Sequence, residues 1–211
     1  MKKYLLLSIL IIIMIFGLLW LIIYTPQDKE TEYSYQVYRS RTELNCEGAK
    51  NNVIAEMERY IDSVAPGSCL NSLILFEKCE QYGVDVMFVM AQGQLESNFG
   101  TRGVASKTNS VWNVMTYDGW AAHDVKRRGH GYDHPDHSIE PYLKLLTSSY
   151  LCDTVCEQDL MIRFVNHNGS RYASDKSYEK NLFNIYNRIL NRTNLQVRIS
   201  EYEKYRILAG R

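Results

Sequence analysis

A mainly α fold with at most a small β element is what this sequence predicts, and three observations predict it. Apolar residues recur at helical spacing through most of the chain after Cys46. Helix start and stop residues bracket several of these runs: Asp85, Ser138, Gly83 and the pair Pro66-Gly67. The periodicity lapses in one long stretch, Thr101–His137, where four glycines and four of the five histidines gather with Trp112 and Trp120.

Before the domain, Tyr4–Tyr24 carries no charge and follows Lys2 and Lys3. At about 1.5 Å per residue such a run spans roughly 30 Å, the thickness of a bilayer core. A cleaved leader has a shorter apolar region and ends in a small-residue site. TPQDKE follows here instead. Residues 1–25 therefore read as an uncleaved transmembrane anchor, with the two lysines cytoplasmic and the rest of the chain on the far side. Residues 26–45 are polar, tyrosine-dotted and without a clear period, which reads as a linker. Residues 46–192 form the domain and 193–211 an amphipathic tail.

Within the domain, Val53, Met57, Tyr60, Ile61 and Val64 share one face of a first helix from Cys46. A second helix is expected over Cys69–Tyr82, with Leu70, Leu73, Ile74 and Phe76 inward and Gly83 as its stop. The third is the most telling, VMFVMAQGQLESNFG from Val86 to Gly100, with Asp85 placed to cap it. It is apolar almost throughout and then presents one ionisable group, Glu96. A carboxyl at the edge of an apolar helix is poorly solvated, so it tends to keep its proton near neutrality. That is the requirement for an acid that protonates a departing glycosidic oxygen. Further helices follow over Ser138–Leu151, with Ile139, Tyr142, Leu143 and Leu146 inward, over Glu157–Val165, and over Ser177–Leu190 with Tyr178, Leu182, Ile185 and Ile189 inward. A hairpin is expected around Ala122–Tyr132.

Charge and cysteine content narrow the function. With 24 basic and 24 acidic side chains, the chain has no general attraction for nucleic acid. Five cysteines on the outer side of a membrane allow disulfides with one thiol left over. Their spacing is not a zinc pattern. The order H-D…H…D-H-x-D-H from His123 to His137 contains no helical pair of ligands, so no metal or other cofactor is expected.

The stretch AQGQLESNFGT resembles the signature of the glucosaminidase domain of glycoside hydrolase family 73, in the lysozyme-like superfamily. Three more stretches agree in order: SKTNSVWNV, HSIEPYLKLL and RYASDKSYEKNL. The resemblance covers roughly Val84–Leu190. It implies a lysozyme-like helical domain with a small β-hairpin or irregular lobe, acting on peptidoglycan glycan strands at N-acetylglucosaminyl bonds. It makes Glu96 the general acid and Tyr172 a groove residue. Asn109, Trp112, Tyr132 and Tyr178 become candidate substrate-binding residues. The family places a second acidic residue in its mobile β-lobe. Asp118, Asp124, Asp133 and Asp136 all fall in the matching region, and Asp124 ranks first because it opens the hairpin-like stretch. Trp112-Asn113 departs from the Phe-Gly usual in the family, so the groove floor is expected to differ. Gly93 is expected to let another backbone approach. Two rival readings are a lytic transglycosylase using Glu96 alone and a glycan-binding module without catalysis.

Overall fold

The computed structural model describes residues 14–15, 27–114 and 131–210. The chain divides into two compact units, and the larger, Glu47–Lys204, carries the site. The described residues are mainly helical and form no sheet, consistent with a lysozyme-like helical domain. Two isolated bridges, Cys152 with Val155 and Val165 with Arg171, are the only β pairings among them. The expected hairpin falls largely outside the described residues. So does nearly all of Tyr4–Tyr24, and no described helix is long and apolar enough to cross a membrane.

Helix α1 runs from Gln27 to Val64, so the stretch read as an aperiodic linker is helical and the expected start at Cys46 is a correction. The reason it escaped notice is physical. A helix that is polar on every side shows no apolar stripe. Its support is local: Arg39 pairs with Glu43 at 3.2 Å, and Gln36 donates to Glu32 at 3.2 Å, each four residues apart. Val53, Met57, Tyr60 and Ile61 are buried as their spacing requires.

Helix α2 spans Ser72–Tyr82 and starts three residues later than its apolar pattern suggested. Asn71 caps it, the side-chain oxygen accepting from the backbone N–H groups of Leu73 and Ile74 at 2.9 and 3.1 Å. Gly83 ends it in the left-handed conformation, φ 66°. The later start changes the inward face. Leu75, Phe76 and Cys79 are buried, whereas Leu73 and Ile74, expected inside, are exposed.

Helix α3, Val86–Ser97, is buried on every side from Val86 to Gly93. Asp85 caps it as expected, accepting from the Met87 N–H at 2.8 Å. The other end is closed by two successive left-handed residues, Asn98 (φ 51°) and Phe99 (φ 54°). An aromatic residue rarely adopts that conformation. Complete burial of the Phe99 ring and bonds from Phe99 N–H to Gly93 O (3.0 Å) and Asn98 Nδ2 to Val64 O (3.0 Å) hold the turn. The helix therefore stops at Ser97, one residue after Glu96.

After the short helix α4 (Ala105–Thr108), residues 109–114 lie along α3. Ser97 Oγ donates to Val111 O at 2.7 Å, and Trp112 Nε1 donates to Val89 O at 3.1 Å. Helix α5, Ile139–Ser149, buries Ile139, Tyr142, Leu143 and Leu146 completely. Ser138 does not cap it. Its hydroxyl donates to Pro135 O and accepts from the Val111 N–H, tying segment 109–114 to the start of α5. Helix α6 is a single turn, Glu157–Leu160, shorter than expected. Helix α7, Tyr178–Arg192, is the main partner of α3, and α8, Leu195–Leu208, gives the tail a definite structure.

All five cysteines are free, which corrects the expected disulfides. Cys46 and Cys79 are buried and act as small apolar residues.

Gly93 does admit a close neighbour, but it is the Trp112 indole rather than a backbone. A Cβ at position 93 would lie 3.2 Å from Trp112 Nε1 and 3.4 Å from Cε2. Gly93→Val thus forces the indole away from α3. The expected loss of stability is about 1–3 kcal/mol, read as a lower midpoint in thermal or urea unfolding. An unchanged midpoint contradicts this packing.

Candidate active site

Glu96 occupies the last turn of α3, partly exposed, at the point where the apolar helix meets segment 109–114 and α7. Two side chains hold its carboxyl. The Tyr178 hydroxyl donates to Oε1 in a short hydrogen bond. Asn113 Nδ2 donates to Oε2 at 3.2 Å and also to the Glu96 backbone oxygen at 3.1 Å. Asn113 reaches this position because its own backbone is left-handed, φ 50°, and because Ser97 and Trp112 anchor the residues before it.

Burial pushes the Glu96 carboxyl above its ordinary pKa, and the bonds from Tyr178 and Asn113 oppose that shift. The upward effect is the larger. A carboxyl so placed retains its proton further toward neutrality and then has two donors ready to stabilise the anion. It can therefore give up a proton and take it back, as general acid catalysis requires.

Behind Tyr178 lies a buried polar chain. Gln92 Nε2 donates to the Tyr178 hydroxyl oxygen at 3.0 Å, and the Tyr142 hydroxyl donates to Gln92 Oε1 in a short bond. Gln92 and Tyr142 are fully buried.

The remaining expected residues fall into different places. Tyr172 stands beside Tyr178, ring centroids 5.6 Å apart, and stacks on Phe164 at 4.6 Å. Its hydroxyl donates to Trp112 O at 3.0 Å, so it braces segment 109–114. Tyr178, expected to meet substrate, is buried and bonded to Glu96 itself. Trp112 is a correction. It is wholly buried, stacked on Tyr142 with centroids 4.8 Å apart, and has no surface to offer a sugar. Its place is in the core beside α3 and α5. Asn109 Nδ2 donates to Tyr132 O at 2.9 Å while Tyr132 N–H donates to Thr108 O at 2.7 Å. Asn109 thus fastens the partly exposed Tyr132 to the end of α4.

Of the four candidate aspartates, Asp118 and Asp124 lie outside the described residues. Asp133 is exposed. Asp136 is committed elsewhere, accepting from the Asn71 N–H at 2.8 Å and lying 3.1 Å from His134 Nδ1. Among the described residues no group of three metal-ligating side chains comes together.

Sequence reasoning overlooked Gln92 and Asn113. The signal for Gln92 was present: a polar residue four positions before Glu96, on the same helix face, within an otherwise apolar run. Asn113 had no such signal, because only the turn at 109–114 brings it to the carboxyl.

The described residues thus form a mainly helical body that holds one poorly solvated carboxyl in a polar, aromatic setting. A model of the glucosaminidase family, described as mannosyl-glycoprotein endo-beta-N-acetylglucosaminidase, matches residues 74–191. The chain belongs to that family and is a glycoside hydrolase. No curated protein matches it.

The raised Glu96 carboxyl has a consequence for stability. The folded state binds this proton more tightly than the unfolded chain, so stability contributed here is lost as pH rises through the carboxyl range. Glu96→Gln removes the charge. The variant should melt at a higher temperature than the wild type at pH 7, with the difference shrinking as pH falls below the carboxyl range. A difference independent of pH refutes the burial of this charge.

Proposed function

We propose that the protein is a membrane-anchored endo-β-N-acetylglucosaminidase that cleaves the glycan strands of peptidoglycan outside the cytoplasm. Glu96 is its general acid. The observation that carries this reading is the poorly solvated Glu96 carboxyl held by Tyr178 and Asn113 at the end of a buried helix, in a domain of this family. In the reaction Glu96 protonates the leaving glycosidic oxygen. Tyr178 and Asn113, donating to the carboxylate, then stabilise the charge left on it through the bonds already in place. The positive charge growing on the sugar ring needs a second group. Asp124 is proposed for it, either activating water from about 6.5–9.5 Å away or attacking directly from about 5 Å. Tyr172 and Tyr132 border the sugar. The apolar run Tyr4–Tyr24 supports the anchor, and Lys2-Lys3 its orientation.

The test uses the full chain in detergent on purified peptidoglycan, with products read by mass spectrometry. The expected products carry a reducing N-acetylglucosamine end. Their yield should fall as pH rises through the Glu96 titration and drop by about 10²–10⁴-fold in Glu96→Gln. Asp124→Asn should lose activity as well. Anhydro-muramyl ends, with Asp124→Asn fully active, would move the chain to the transglycosylases. Glycan bound but uncut would leave a binding module.

A further inference from the structure

Among the described residues, a groove of about 490 Å³ lined by Glu58, Asp62, Cys69, His134 and Asp136 holds no buried unpartnered group to point to a ligand. The chain Tyr142–Gln92–Tyr178–Glu96 carries more. Its members come from three elements: Gln92 and Glu96 from α3, Tyr142 from α5 and Tyr178 from α7.

Burying an amide and two hydroxyls costs free energy unless every polar atom is satisfied. A methionine would fill the Gln92 site without that cost. Here each link fixes the direction of the next. An ionised Glu96 needs a donor at Oε1, and Tyr178 has one proton to give. The Tyr178 oxygen then accepts, which places Gln92 Nε2 toward it. Gln92 Oε1 is left facing Tyr142, which must donate. The chain has one polarity, with a donor end at Tyr142 and an acceptor end at Glu96.

We infer that Gln92 and Tyr142 are positioning residues of the active site: they lock the Tyr178 hydroxyl so that Glu96 Oε1 is an acceptor in both protonation states, and the acid proton is carried on Oε2. For Tyr178 to accept a proton from Oε1, the Gln92 amide would have to turn over. Its two bonds and complete burial oppose that. Oε2 is the oxygen beside Asn113, whose Nδ2 occupies only one of its lone pairs. The lock favours the carboxylate over the carboxylic acid and so strengthens Glu96 as a proton donor.

Among the described residues, the titratable groups that face this chain come from four neighbouring elements and the loop before α7. Glu96 is met by Tyr178 from α7, by Tyr142 from α5 and by Tyr172 from the loop before α7. Tyr142 is met in turn by Cys79 from α2 and Glu157 from α6. All of these tyrosines and the cysteine hold their protons well above neutrality, because burial disfavours their anions.

The inference rests on Glu96 as the acid, and its test separates the two ideas. The carboxyl carbon of Glu96 is titrated by ¹³C NMR in the full chain, its signal identified by loss in Glu96→Gln. Gln92→Met and Tyr142→Phe each free Tyr178 to accept from a protonated Glu96. The acid dissociation constant should fall by about threefold to tenfold in each. The alkaline limb of kcat/KM should move up with it, kcat should fall, and KM should hold. The double variant should match Gln92→Met alone, since both act through one bond. Tyr142→Phe keeps the ring stacked on Trp112, so it decides the matter if Gln92→Met does not fold. A Glu96 titration unmoved in folded variants, or shifts that simply add, overturns the lock. A moved titration in a chain that cleaves no glycan sustains the lock and overturns the hydrolase reading instead.

Discussion

Everything at the site depends on placing one carboxyl where water cannot solvate it well and then giving it enough hydrogen-bond donors. Helix α3 does the first by being largely apolar and buried on every side from Val86 to Gly93. The second needs groups from outside the helix, Tyr178 and Asn113, and these arrive only through tertiary structure. Burial without donors would leave a carboxyl too weak to release its proton. Donors without burial would leave it ionised. The balance between the two is the physical basis of the proposed acid.

That balance explains features that look incidental. The left-handed pair Asn98-Phe99 ends α3 at once, so Glu96 sits at a helix terminus rather than inside one. Ser97 and Trp112 fasten segment 109–114 to α3, and Tyr172 braces it through the Trp112 carbonyl. Gly93 leaves the room in which the indole lies. Where the family usually has Phe-Gly, this chain has Trp112-Asn113, and both side chains are used: the indole in the core, the amide as a donor to Glu96. The departure therefore changes how the Glu96 carboxyl is held.

The aromatic residues divide by the same logic. Tyrosines are numerous in this chain, and several of those near Glu96 are buried with a hydrogen bond at the tip. Such a ring supplies packing area and one directed donor, a combination neither phenylalanine nor serine offers. A binding groove was expected to use Trp112 and Tyr178 against sugar, and the structure buries both, Tyr178 bonded to Glu96.

The sequence by itself determined the helical class, the caps at Asp85 and Gly83, the buried stripes of α3, α5 and α7, and Glu96 as the exceptional group in an apolar helix. These are local properties, set by periodicity and by what a residue does to its own backbone. It misjudged the first part of α1, residues 27–45, since a polar stretch of helix leaves no stripe, and it misphased α2, where the Asn71 cap outweighed the apolar pattern. Only the tertiary structure decided which partners meet Glu96. Asn113 and Tyr178 are 17 and 82 residues away in the chain, and Tyr142 reaches Gln92 across 50. Contacts at such separations depend on how helices pack, and no local spacing encodes that.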